Sequence, residues 1–380
     1  MKTRVWCGLD RIETADSVLR KGRVGLMTNP CGISHDFVST VDIVKRRYQL
    51  SALFACEHGI RGDAQAGADI ETYIDEETGV PVFSVYGATN RMTEEMIDSF
   101  DVFLYDLQCV GVRFYTFLYS LAYAMEACAK AGKPVVVLDR LNPISAVQAS
   151  GTVLDPAFRS FVGDYELPSQ HGLTMGEYAL YVKDYLKLDL DLTVVTMEGY
   201  RRTLYLDDTD TPWVAPSPNC QALHTALCYV GTCVFEGTNF SEGRGTTLPF
   251  ELIGAPWIDA AALERRMAAY DVPGIHFRRA SFLPVYHKHQ GEVCHGVQMH
   301  VTDRTVMQPF LGAMLLLDAM REQAPDKFAF RSLKEGRYKV DMLLGTDEYR
   351  KGLSAAALVE KHRPLVDRFV EKTKAFRLYE

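Results

Sequence analysis

The sequence predicts an α/β protein: a Rossmann-like, doubly wound, mostly parallel sheet followed by a smaller α+β auxiliary domain. Three observations predict it. Short, continuous apolar runs alternate with helical stretches through the first half of the chain. Each run ends at a loop rich in Gly, Asn or charged residues, the punctuation expected where buried strands stop. Beyond about residue 145 the alternation becomes irregular. Strands that read as unbroken apolar runs, rather than as alternating ones, are buried on both faces, as in a parallel sheet covered by helices.

The elements follow in order. Residues 24–28 (VGLMT) form a first strand, stopped by Asn29, Pro30 and Gly32. Asp36 is placed to cap a helix carrying Phe37, Val41 and Val44 on one face. Residues 50–55, 82–86, 102–107 and 133–139 read as the second to fifth strands, with a long helix over about 113–130 before the last of these. Thr174 and Glu177 have the spacing of a capping box, which assigns Glu177 a structural role. Residues 192–197 read as another strand, 259–270 as a helix, and 296–301 as a strand. A helix after Pro309 and another from Ser354 complete the chain.

A length of 380 residues suits two domains at roughly 100–200 residues each. The segment 207–219, rich in Asp, Thr and Pro, marks the boundary, giving a catalytic domain over 1–215 and an auxiliary domain over 216–380 that contributes to the cleft. The formal net charge of -8 argues against nucleic acid or an anionic membrane as partner. No apolar run approaches the ~20 residues that span a bilayer. The N-terminal MKTRVWCGLD lacks the apolar core of a signal peptide, and the nine scattered cysteines read as reduced thiols. Together these features predict a cytoplasmic protein, with an exported form whose leader has been removed as the alternative.

A sheet of this kind invites a nucleotide, but the expected fingerprints are missing. The first strand runs into Asn29-Pro-Cys-Gly32 instead of G-x-G-x-x-G, and neither a P-loop nor a G-x-S-x-G elbow occurs. No cofactor is expected. Ligands of such sheets bind beyond the carboxyl ends of the strands. That rule points to the loops after the second and fourth strands, 57–67 and 108–116.

The first loop opens with Glu57 and His58, with Arg61 nearby and glycines at 59, 62 and 67. A strand-end carboxyl, half against protein and half against a cleft, suits a general acid, and His58 can orient it. The plain alternative is a solvated turn. The second loop offers Gln108 as a hydrogen-bonding group and Arg113 as a planar fork for a carboxylate. Phe114 and Tyr115 can stack on a sugar face. Glu126, further along the following helix, reads either as a core-edge carboxylate or as a second active-site acid. The stretch Glu236-Gly-Thr238-Asn239-Phe-Ser-Glu242-Gly-Arg244-Gly is the densest polar run of the second part. Two carboxylates six residues apart fit glycoside hydrolysis, which uses a carboxyl pair; an ordinary polar loop is the alternative. His287, His289, Glu292, Cys294 and His295 suggest a metal superficially, but their spacing matches no known ligand signature, so no metal is expected.

At these segments the chain resembles the exo-β-N-acetylmuramidase (NamZ-type) family, long known only as a domain of unknown function. The matching stretches include GLMTNPCGI, FACEHGIRGDAQAG, RFYTFLYSLAYAMEA, VVVLDRLNP, PSPN and VFEGTNFSEGRGTTLPFELIGAPW, and they cover almost the whole chain. The chain departs from the family pattern at Cys109 and over 141–146.

The resemblance implies a cleft between two domains and exo-cleavage of a terminal N-acetylmuramic acid from cell-wall fragments, as in peptidoglycan turnover and recycling. It carries the catalytic glutamate of the EHG motif onto Glu57. A second glutamate is sought first at Glu126, then at Glu236 and Glu242. In this reading Arg61, Arg113 or Arg244 pairs with the lactyl carboxylate of a muramic-acid substrate, and Gln108, Thr238 and Asn239 hydrogen-bond the sugar. A non-catalytic sugar- or muropeptide-binding protein is the alternative, and a metal-dependent hydrolase a third reading.

Overall fold

The computed structural model describes residues 2–57, 59–61, 72–87 and 90–380. Its strands are β1 (Arg23–Thr28), β2 (Gln49–Ala55), β3 (Tyr73–Ile74), β4 (Pro81–Ser84), β5 (Val102–Asp106), β6 (Val135–Leu138), β7 (Ser150–Val153), β8 (Pro168–Gln170), β9 (Leu192–Val195), β10 (Leu252–Ala255), β11 (Ile275–Phe282) and β12 (Cys294–Val301). Seven of them form one sheet in the order β3-β4-β2-β1-β5-β6-β9. Every neighbouring pair in it is parallel except β3 with β4. Set aside the short edge strand β3, and the parallel strands run third, second, first, fourth, fifth, sixth in chain order. That is the doubly wound arrangement, with its reversal between β1 and β5.

Both faces are covered because successive side chains of each strand point to opposite sides. Phe54, Phe103, Tyr105, Val135 and Val137 join one core with the helices Phe117–Ala131 and Met175–Tyr185. Leu26, Leu53, Leu104, Val136 and Leu138 join the other, with Leu9, Ile12 and Val44 of the elements Gly8–Ala15 and Thr40–Arg47.

Two predicted boundaries move. Ser39, not Asp36, caps the helix Thr40–Arg47, accepting from the Asp42 amide at 3.0 Å. Ser34 and Val38 close a turn first, so Phe37 stands exposed at φ 61°. The helix expected from Arg113 begins at Phe117, which frees 114–116 to line a cavity. Thr174 and Glu177 form the reciprocal capping box their spacing predicts.

The second part pairs β10, β12 and β11 in an antiparallel sheet with the helices Leu223–Thr232, Ala260–Tyr270 and Pro309–Gln323. The hairpin β7–β8, which periodicity did not reveal, packs against the helix Ala355–Thr373; the Val153 amide donates to His362 Nδ1 at 3.1 Å. The last residues return to the first sheet, where Tyr379 Oη donates to Asp139 at 2.6 Å. All nine cysteines are unpaired and buried, and burial pushes the Cys7 and Cys31 thiols up to about 12. No helix among the described residues is long and apolar enough to cross a membrane.

Candidate active site

Two crevices lie beyond the carboxyl ends of the parallel strands. The first sits at the reversal between β1 and β5 and is closed. Asp106, at the end of β5, is fully buried and pairs with Arg140 beyond β6 at 2.9 Å. The Thr40 hydroxyl donates to the same carboxylate, and Arg140 also reaches the Ile33 carbonyl at 3.2 Å. The remaining void is about 20 Å³, little more than room for one water. Gln108 borders it, with its amide spent on the carbonyls of Cys109 (2.7 Å) and Leu141 (2.9 Å).

The second crevice is a cavity of about 820 Å³. The first half of the chain supplies one wall: Glu57 from the end of β2, Tyr86 after β4, and Phe114, Tyr115 and Thr116 after β5. Glu57 is held by two hydroxyls. Tyr86 Oη donates to Oε1 at 2.9 Å, and Thr116 Oγ1 donates to Oε2 at 2.8 Å. Phe161 and Val162 extend this wall, and Ser217 and Asn219 bridge to the second half. Across the floor the rings form a continuous edge-to-face chain. Phe114 and Tyr115 lie 5.4 and 6.4 Å from Tyr229, which lies 4.5 Å from Phe250.

The opposite wall carries Glu236, Arg244 and His287, with Arg331 and Lys339. Arg244 donates to Glu236 at 2.7 Å, approaches Glu242 at 3.4 Å, and stands 5.0 Å over the Phe250 ring. Glu242 is fully buried behind this wall. Burial acts to raise its pKa, but Lys288 at 2.7 Å, His287 and Arg244 overcome it and hold the carboxyl well below the usual carboxylate range. Lys288 also donates to the carbonyls of Phe235 and Phe240, fastening the loop 283–291 over the glycine-rich segment. Gly245 permits this closeness: at φ 82°, a Cβ there would lie 2.4 Å from the Tyr286 carbonyl.

The structure thus brings Glu57, Phe114, Tyr115, Glu236, Arg244 and His287 to one cavity and places Arg61, Gln108, Arg113, Glu126, Thr238, Asn239 and Glu242 outside its lining. Glu126 is a correction. Thr116, at the start of its helix, touches Glu57, and ten residues at ~1.5 Å rise place Glu126 roughly 15 Å further along. There it is held by Arg91 at 2.6 Å and Tyr165 at 3.0 Å, beside a different surface depression. Arg113 is a second correction: it is wholly buried and donates to the Leu343 carbonyl at 3.0 Å at a helix end. Arg61 is tied to Asp75 (2.8 Å) and Glu77 (2.9 Å).

Thr238 is buried against the Phe235 carbonyl. Asn239 spends its side chain on the backbone of Lys327 and Ala329. These two, with Glu242, shape the loop that presents Glu236 and Arg244. His58 and residues 62–71 lie outside the described residues. The three histidines of 287–295 diverge: His287 to Glu242, His289 to the Asn239 carbonyl and His295 to Ser281. Among the described residues no three His, Cys, Asp or Glu side chains converge as metal ligands do.

Sequence reasoning missed Tyr86, Phe161, Asn219 and Arg331, on irregular segments where no periodicity singles them out, and Lys339, at the start of the short helix Lys339–Leu344.

Known proteins match both halves of the chain. The family model for the exo-β-N-acetylmuramidase NamZ N-terminal region matches residues 24–224, and that for its C-terminal region matches 227–379. A peptidoglycan β-N-acetylmuramidase NamZ of Bacillus subtilis is 42% identical over 385 residues, covering 100% of this chain and 92% of the relative. Two crystal structures of DUF1343 family proteins from Bacteroides fragilis are similar throughout. One has a TM-score of 0.91 at 30% identity, covering 100% of both chains. The other has a TM-score of 0.76 at 28% identity, covering 100% of this chain and 99% of the other.

Proposed function

We propose that Glu57 and Glu236 are the working carboxyl pair of this chain, which belongs to the exo-β-N-acetylmuramidase NamZ family. It is a glycosidase that releases terminal N-acetylmuramic acid from peptidoglycan fragments. The observation that carries the assignment of the pair is that both carboxyls line one cavity of about 820 Å³, a size that suits a sugar ligand.

The surroundings of the two carboxyls divide the labour. Glu57 is held by hydroxyls, which can accept as well as donate, so its carboxyl can carry a proton without losing its anchors. It protonates the leaving glycosidic oxygen. Glu236 lies against the Arg244 guanidinium and carries its charge there. It supports the oxocarbenium-like centre or the attacking water. Phe114 and Tyr115 supply the apolar face on which the ring rests.

We propose further that the chain divides near residue 215 into a catalytic and an auxiliary domain, and that it acts in cell-wall recycling in the cytoplasm. Nine buried, unpaired thiols suit a reducing compartment.

The test is release of N-acetylmuramic acid from a chromogenic glycoside. Glu57→Gln should lower kcat by about 10²–10⁴-fold while sugar binding persists. A Glu57→Gln enzyme with full activity would remove Glu57 from the chemistry, and a wild-type chain that binds the sugar without cleaving it would leave a binding protein.

A further inference from the structure

We infer that Arg331 and Lys339 form the anion-recognition wall of the cavity and select sugars bearing a free carboxylate on the lactyl ether. The inference rests on the glycosidase reading above and deepens it. The arginines that the sequence offered for this task are committed elsewhere. Arg61 is tied to Asp75 and Glu77, Arg113 is buried on backbone carbonyls, and Arg244 is shared between Glu236 and Glu242. Arg331 and Lys339 line the cavity, and neither has an ion-pair partner among the described residues.

The backbone sets the two cations side by side and next to Glu236. The Lys339 amide donates to the Arg331 carbonyl at 3.0 Å, and the Arg331 amide donates to the Gly237 carbonyl at 2.8 Å. Bridges join Ser332 to Tyr338 and Thr238 to Phe330, so the turn is fastened along the segment that carries Glu236. Gly237 makes this possible, since a Cβ there would lie 2.6 Å from the Val340 backbone.

Charge supports the same conclusion. The chain as a whole carries -8. Once Arg244 and Glu236 are set against each other, the described cavity lining keeps two cations, Arg331 and Lys339, and one carboxylate, Glu57. An incoming carboxylate completes that balance. A guanidinium fork beside an ammonium suits a carboxylate better than a neutral hydroxyl. The lactyl carboxylate distinguishes muramic acid from N-acetylglucosamine, and apolar walls of Phe and Tyr cannot read that difference.

Three chromogenic glycosides test it: N-acetylmuramic acid, its lactyl methyl ester, and N-acetylglucosamine. In the wild-type enzyme KM for the acid should lie at least tenfold below that for the ester. In Arg331→Ala and Lys339→Gln the acid's KM should rise about 10- to 100-fold, with a smaller change in kcat, so that the acid-to-ester ratio falls toward one. Arg331→Lys should recover part of the ratio. Equal wild-type KM values for acid and ester, or variants that raise both alike, would overturn the assignment. The wild-type comparison stands even if a variant does not fold. Wild-type hydrolysis without carboxylate preference would sink only this inference, whereas no hydrolysis of any of the three would sink the glycosidase reading itself.

Discussion

The two crevices lie at the same end of the parallel sheet and differ in what fills them. At the reversal between β1 and β5, where topology places the ligand of a doubly wound sheet, Asp106 and Arg140 occupy the space and leave about 20 Å³. One loop away, Glu57 faces about 820 Å³, and among the described residues its partners are neutral hydroxyls rather than a cation. Topology marks the end of the sheet where binding is possible; side-chain charge decides which opening remains. A buried ion pair closes a site as effectively as a plug of apolar side chains, and the second half of the chain then completes the opening that is left.

That contrast can be broken at either crevice. The largest effect belongs to the open one, where Glu57→Gln should remove about 10²–10⁴-fold of kcat with little change in unfolding free energy, read by turnover and denaturant melts together. At the closed one, Arg140→Leu leaves Asp106 buried without its cation. This should cost about 3–5 kcal/mol of stability in a denaturant titration while KM of the folded fraction holds. A rise in KM instead would mean that the closed crevice takes part in binding.

A smaller effect sharpens the picture at Glu57. Thr116→Val deletes one of its two hydroxyl anchors, and kcat should fall by about five- to tenfold, roughly the net value of one hydrogen bond. Unchanged turnover would make that contact incidental.

A different kind of effect concerns pH. Burial pushes His171 down to about 3, so the folded imidazole stays neutral where the unfolded one, near 6.5, takes a proton. The unfolded state therefore gains protons as pH falls below 6.5, and stability should decline from there toward about 3. His171→Leu should flatten that slope in melting curves recorded from pH 7 to pH 4, even though it loses the hydrogen bond from the Leu173 amide. An unaltered slope would point to other groups, foremost His362 and His300, whose imidazoles burial also holds below the usual value.

The parallel sheet was legible because each of its long strands is buried on both faces, and burial writes itself as an unbroken apolar run. Glu57 was legible for a related reason: a charged residue directly after such a run stands at a strand end. Glu126 misled because helical periodicity says which way a side chain faces but not how far along the axis the cavity extends. Arg113 misled because a guanidinium looks the same in sequence whether its fork meets a ligand or, as here, the carbonyl of Leu343, 230 residues away. Arg331 and Lys339 left no trace. Their position depends on backbone contacts with Gly237 formed only once the two distant segments have met. The polar EGTN and SEGRG segments were visible as unusual, but Thr238, Asn239 and Glu242 serve the shape of the loop, and proximity in sequence could not separate them from Glu236 and Arg244.

The nine interior thiols give the molecule a built-in reporter of opening. An alkylating reagent requires an accessible thiolate, and neither condition is met at a sulfur that is both covered and, as at Cys7 and Cys31, reluctant to ionise. The native chain should therefore stay unlabelled through a short pulse, while any population that has opened takes up mass in steps of one adduct per exposed cysteine. Because these residues occur in both halves, the pattern of adducts would reveal whether the halves come apart separately or together.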